Sequence, residues 1–214
     1  DGNIKVSGQK VSSITITNVK SPKVVKIDAH TKTAVKGAVL KITDSNNKEV
    51  DRWTTDGSEH TVKSLAQGTY TLSEVSAPDG YILSKETIKF TVDASGNTKN
   101  TSGTNVTKLE LKNTKNSVKI SKQDITTNKE LPGASLELKD KNGKVIDKWT
   151  STDKEHLIRG LAAGTYTLSE TISPKGYVLS KETISFTIDK NGKLTDKNGK
   201  TIDKVVMYNT PEKE

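Results

Sequence analysis

Cysteine is absent from this chain of 214 residues, which excludes disulfides, thiolate zinc centres and a cysteine nucleophile. Aromatic residues make up only 4 % of it, too few rings for the stacking platforms of a single-strand nucleic-acid binder. No apolar run approaches the roughly 18 residues of a membrane-crossing helix. Hydrophobic residues are 30 % against 28 % charged. A single large core is therefore not expected, and two small domains with thin cores fit better. No methionine starts the chain and no basic-then-apolar leader follows, so an export signal, if there was one, is expected to be gone. The net charge of +8 comes from 34 basic residues set among 26 acidic ones. The lysines are spread rather than clustered, which describes a solvated surface and not a nucleic-acid interface.

What is present is repetition, and it sets the organisation. Gly-Thr-Tyr-Thr-Leu-Ser-Glu occurs at 68–74 and again at 164–170, and Leu-Ser-Lys-Glu-Thr-Ile at 83–88 and 179–184. Trp53 matches Trp149, His60 matches His156 and Phe90 matches Phe186, all at one offset and without a gap. Two tandem copies are expected, residues 21–116 and 117–214. Ile14, Ile16 and Asn18 resemble the last strand of each copy, so residues 1–20 are expected to be the C-terminal strand region of a truncated upstream repeat, or a linker. On that reading the chain is an excerpt of a longer repetitive protein.

Each copy reads as all β. Runs such as Ala134-Ser-Leu-Glu-Leu-Lys and Glu182-Thr-Ile-Ser-Phe-Thr-Ile alternate with period two. Asp140-Lys-Asn-Gly143 and Asp189-Lys-Asn-Gly192 are hairpin signals, with Asn-Gly accepting the positive φ of a primed turn. About seven short strands in fewer than 100 residues predict an Ig-like β-sandwich for each copy.

Strand parity then isolates three polar residues per copy. The face of Val24 also carries Lys26, that of Tyr70 and Leu72 carries Glu74, and that of Leu109 and Leu111 carries Asn113. Val118 and Ile120 share a face with Lys122, Tyr166 and Leu168 with Glu170, and Val205 and Met207 with Asn209. A charge on a core-facing position must find a partner or lose its charge. Burial favours the neutral form of an amine and of a carboxyl alike, and a neutral amine is a nucleophile. Such a trio can join Lys Nζ to Asn Cγ with loss of ammonia, the carboxyl shuttling the proton. That is one event per domain, with proximity supplying much of the rate. Because each trio lies in its own core, the two sites are expected to form and fail separately.

These residues sit in a run of motifs. Ile120-Ser-Lys122-Gln-Asp is followed by Pro132-Gly-Ala, Gly164-Thr-Tyr-Thr-Leu-Ser-Glu170, Pro174-Lys-Gly-Tyr177 and Tyr208-Asn209-Thr-Pro. Lys26-Ile-Asp, Lys36-Gly-Ala, Glu74, Pro78-Asp-Gly-Tyr81 and Asn113-Thr hold the same order in the first copy. The pattern resembles the Cna B-type, prealbumin-like repeat domains of Gram-positive surface adhesins and pilins, and covers about residues 21–211. The resemblance implies an intramolecular isopeptide bond in each copy, Lys26 to Asn113 with Glu74 as catalyst and Lys122 to Asn209 with Glu170. It also implies stalk repeats of a cell-wall-anchored adhesin at the bacterial surface. The expected partners are neighbouring repeats of the same chain, and host extracellular matrix through other domains. A monomer with no membrane partner is expected, and an enzyme turning over external substrate is not.

The remaining signals are weaker. The Asp-Lys-Asn-Gly runs lack the spacing and closing Glu of a calcium loop. His30, His60 and His156 have no metal-ligand spacing and are expected at the surface, so neither metal nor cofactor is expected. The competing reading, a module that itself binds host matrix protein, would need an exposed aromatic surface. Trp53 and Trp149 are its only candidates, and their alternating strands predict packing roles instead.

Overall fold

The computed structural model describes residues 5–6, 9–10 and 21–213, with side chains from Ser21 onward. Two short segments, β1 (Lys5–Val6) and β2 (Gln9–Lys10), pair antiparallel. The strand expected around Ile14–Asn18, and with it the truncated-repeat reading, lies outside the described residues.

Domain 1 contains β3 (Lys23–Asp28), β4 (Lys36–Asp44), β5 (Glu49–Asp56), β6 (His60–Thr61), β7 (Gly68–Ser76), β8 (Thr87–Val92), β9 (Thr98–Lys99) and β10 (Lys108–Asn113). Domain 2 repeats the series with β11 (Ser117–Asp124), β12 (Ser135–Asp140), β13 (Val145–Thr150), β14 (His156–Arg159), β15 (Gly164–Ile172), β16 (Ile184–Ile188), β17 (Leu194–Asp196) and β18 (Val205–Asn209). Each domain has a five-stranded sheet, ordered β5-β4-β7-β8-β9 or β13-β12-β15-β16-β17, and a three-stranded sheet, ordered β10-β3-β6 or β14-β11-β18. The period-two alternation supplies the faces that meet between the sheets. Leu40, Ile42, Leu72, Phe90 and Leu111 are buried in domain 1, and Leu136, Leu138, Leu168, Phe186 and Met207 in domain 2, as two separate clusters. Tyr70 stacks on Phe90 and Tyr166 on Phe186, ring centroids 5.6 and 5.7 Å apart.

The first and last strands of each domain are neighbours and run parallel. Lys26 lies opposite Leu111 and Asp28 opposite Asn113; Lys122 lies opposite Met207 and Asp124 opposite Asn209. The register is thus the same in both domains although Ile27 is replaced by Gln123. Ile27 is buried on the outer face, whereas Gln123 Nε2 donates to Ser121 Oγ at 2.8 Å.

The Asp-Lys-Asn-Gly runs do close the β12–β13 and β16–β17 hairpins, but not as primed turns, which need positive φ at both central residues. Only the glycine is left-handed, Gly143 at φ 79°. The aspartate makes the difference: Asp140 Oδ1 accepts the N–H groups of Asn142 and Lys144 at 2.8 and 3.0 Å, holding Asn142 in the ordinary right-handed region.

The domains meet end to end. Asn116, buried between them, accepts from Gly160 N–H at its carbonyl and donates its own N–H to Gly80 O, both at 2.9 Å. Its side chain brackets the Leu161 backbone, Nδ2 donating to Leu161 O at 2.7 Å and Oδ1 accepting from Leu161 N–H at 3.0 Å.

Candidate functional site: a buried Lys, Glu and Asn in each domain

All six polar residues singled out by strand parity are buried. Lys26 projects from β3 and Asn113 from the end of β10, adjacent strands of one sheet, while Glu74 projects from β7, the middle strand of the facing sheet. The Lys26 Nζ lies 3.4 Å from Glu74 Oε1, both side chains fully enclosed, and donates to Lys112 O at 3.1 Å. Asn113 Nδ2 donates to Glu74 Oε2 at 2.9 Å and to Ile82 O at 2.7 Å. Domain 2 repeats this but for the carbonyl contact of the lysine. Lys122 Nζ is 3.5 Å from Glu170 Oε1, and Asn209 Nδ2 donates to Glu170 Oε2 at 2.9 Å and to Val178 O at 2.6 Å.

One carboxylate therefore bridges an amine and a carboxamide, one oxygen to each. The contacts are incomplete by the standard of a folded interior, where buried polar atoms are normally satisfied. Glu74 Oε1, Asn113 Oδ1, Glu170 Oε1, Asn209 Oδ1 and Lys122 Nζ are buried without a hydrogen-bond partner. Burial pushes the Lys26 and Lys122 amines below 10.5, and the neighbouring Glu74 and Glu170 charges only partly restore them. That moves each lysine toward the free amine that a nucleophile needs. Attack of Nζ on Cγ with transfer of an amine proton to the glutamate, and delivery of that proton by the carboxyl to Nδ2, would form the Nζ–Cγ amide, break Cγ–Nδ2 and release ammonia. No external oxidant or cofactor enters that balance.

Sequence reasoning missed the residues that hold the trio. The loop after β7 contributes Ser84 N–H, donating to Glu74 Oε2 at 2.6 Å, and the Ile82 carbonyl already named; Ser180 N–H does the same for Glu170 at 2.6 Å. That loop is tied to the first strand by a tyrosine. Tyr81 Oη donates to Asp28 Oδ2 at 2.9 Å and Tyr177 Oη to Asp124 Oδ2 at 3.0 Å. The signal was on the page, since both aspartates and both tyrosines stand in the quoted motifs. Backbone donors, however, leave no mark in a sequence.

The residues set aside fall elsewhere. Trp53 and Trp149 pack against the two cores and stack on His60 and His156 at 3.9 and 4.1 Å. These histidines are half-buried, not free at the surface as expected, because each also meets a carboxylate, Asp51 at 3.0 Å and Asp147 at 2.8 Å. Among the described residues no helix is long and apolar enough to cross a membrane.

The paired sandwiches and their strand order define a class, tandem all-β prealbumin-like domains. Comparison with known proteins gives the family: the model of the SpaA prealbumin-like fold domain matches residues 20–107 and 116–201, and the chain belongs to that family. It is 32 % identical over 200 residues to serine-aspartate repeat-containing protein F of Staphylococcus epidermidis, covering 78 % of this chain and 11 % of that one. It is 33 % identical over 87 residues to the trypsin-resistant surface T6 protein of Streptococcus pyogenes, covering 37 % and 16 %. Among solved structures, the Bacillus anthracis TIE protein matches with 28 % identity and a TM-score of 0.53, over 90 % of this chain and 34 % of that one. The C-terminal fragment of the pilus adhesin SpaC from Lactobacillus rhamnosus GG shares the fold, with 21 % identity and a TM-score of 0.53 over 90 % and 96 %. The chain thus spans a small part of the length of its curated relatives, the second of which is named a surface protein.

Proposed function

We propose that this chain is a pair of stalk repeats, divided at Asn116 and Ser117, from a cell-wall-anchored adhesin of a Gram-positive bacterium. Each domain closes on itself by an autocatalytic amide, Lys26 to Asn113 through Glu74 and Lys122 to Asn209 through Glu170. The observation that carries this reading is the pair of buried carboxylates, each set between an amine and a carboxamide whose oxygen has no partner. The reaction runs once per domain, so the protein modifies itself and turns over nothing. The two tryptophans that a direct matrix-binding role would call on are engaged with their own cores and histidines.

Intact-protein mass tests the reading. The chain is expected to be lighter than its sequence by two ammonias, with cross-linked peptides containing Lys26 with Asn113 and Lys122 with Asn209. An unshifted mass removes the assignment, and loss of a single ammonia restricts it to the domain in which the linked peptide is found.

A further inference from the structure

The loop that closes each trio is supported differently in the two domains. In domain 1 its inner side holds the trio through Ile82 O and Ser84 N–H. Leu83, between them, turns its N–H outward and donates to Asn191 O of domain 2 at 3.1 Å. Gly192 stands against the same segment, where an added Cβ would lie 2.8 Å from Tyr81 O and 3.1 Å from Ile82 Cα. Asn116 fixes the approach through its bonds to Gly80, Gly160 and Leu161. In domain 2 the matching loop has the same inner contacts, Val178 O and Ser180 N–H. The segment after β18 ties it as residues 114–116 tie the loop of domain 1, Val178 N–H donating to Thr210 O and Glu212 N–H to Gly176 O, but among the described residues nothing takes the place of Asn191: Leu179 is 42 % exposed, where Leu83 is half-buried.

We propose that docking of domain 2 sets the loop that assembles the reactive trio of domain 1, so that bond formation in domain 1 is promoted by its neighbour while that in domain 2 is not. This rests on the amide-forming reading above and narrows the expectation that the two sites act separately. The reaction requires the carboxyl to stand between amine and carboxamide, and its rate follows the fraction of time the three are aligned. A loop with the added bond from a neighbouring domain spends more of its time in that arrangement than one held by its own domain alone. Asn191 and Gly192 are positioning residues, since neither touches a reacting atom. The bonds made and broken remain Nζ–Cγ and Cγ–Nδ2, with ammonia leaving.

Two glycines provide a matched test. Gly192 and Gly199 close identical Asp-Lys-Asn-Gly turns at φ 80° and 79°, but an added Cβ at Gly199 meets nothing within 4 Å. Asparagine tolerates this conformation, so Gly192→Asn and Gly199→Asn carry the same backbone cost and differ in the side chain driven against residues 81–82. The full chain is made in a cell-free reaction, and ammonia loss from each domain is followed in time by peptide mass mapping. The domain 1 rate is referred to the fraction of that domain folded, read from amide protection of β7. Gly192→Asn is expected to slow the Lys26–Asn113 bond about fivefold, the factor given by one net hydrogen bond. Gly199→Asn is expected to leave it unchanged, and the Lys122–Asn209 bond should keep its rate in both. Asn116→Ala, which leaves the turn intact, is expected to slow domain 1 in the same direction. An unchanged domain 1 rate in both Gly192→Asn and Asn116→Ala overturns the coupling, as does equal slowing by Gly199→Asn. No ammonia loss from either domain of the unsubstituted chain overturns the amide-forming reading itself, and the coupling with it.

Discussion

Lys122 shows what a single buried charge demands of its surroundings. Its amine is enclosed, has no hydrogen-bond partner and has the carboxylate of Glu170 as its nearest counter-charge, 3.5 Å away. Glu170→Ala removes both the proton shuttle and that nearest counter-charge. The variant is expected to fold without the Lys122–Asn209 bond and to lose about 3–5 kcal/mol for the abandoned charge, beyond the loss of the bond itself; peptide mapping and thermal melts check the two parts. Asp28 and Asp124 behave oppositely. Backbone N–H of Thr31, with His30 N–H and the Tyr81 hydroxyl, holds Asp28 down to about 2 from 3.8. The Thr126 hydroxyl and N–H, with the Tyr177 hydroxyl, hold Asp124 at about 2. A carboxylate whose pKa is depressed on folding stabilises above its unfolded value and loses that stabilisation as pH falls through the folded one. Melting temperature is therefore expected to decline between about pH 4 and pH 2, with a shallower decline in Asp28→Asn. The positions of all six trio residues were legible, because parity alone put a Lys, a Glu and an Asn on apolar faces. The contact behind them was not, although its residues stand in the motifs. Asp28 and Tyr81 lie 53 positions apart, and no local pattern joins them.

Among the elements, the hairpins were legible in place but not in kind. Asn-Gly predicted the primed geometry, yet the aspartate two residues earlier satisfies two backbone donors and selects another turn. Asp140→Ala is expected to cost domain 2 about 1 kcal/mol, the net worth of an ordinary hydrogen bond, and to speed amide exchange in β12 and β13. Asp140→Asn keeps the acceptor and is expected to recover most of it. The alternating strands β7, β12, β15 and β16 were readable from period two. The parallel pairing of β3 with β10, and of β11 with β18, was not: it joins the two ends of a domain, and strand alternation says nothing about which strand lies beside which.

For the whole molecule, two cores and one joint decide how disturbances spread. Lys26→Ala would remove the proposed covalent tie between the ends of domain 1. By analogy with a disulfide closing a loop of nearly domain length, this is expected to lower that domain's stability by about 4–5 kcal/mol. The domain 2 core shares no residue with it, so the domain 2 transition should stay within about 0.5 kcal/mol; calorimetry on the full chain resolves the two. The duplication, the tandem arrangement and the sandwich class were legible because they repeat. The joint was not, since Asn116 carries no motif and the turn signal that contains Asn191 says nothing about a neighbouring domain; their roles appear only when two ends of different domains are brought together.

The parallel strand pairing has a mechanical meaning. A pull on the chain draws β3 by its beginning and β10 by its end, in opposite directions along neighbouring strands. If the proposed amides form, tension would enter through the first residues of β3, cross from Lys26 to Asn113 side to side, and leave directly toward Asn116 and β11. There it would cross again from Lys122 to Asn209. The rest of each sandwich would hang beside this line, shielded from the force. Its hidden chain, about 300 Å per domain if drawn straight, would never pay out. A rod of such repeats would be as inextensible as its short backbone segments, however weak the cores beside them.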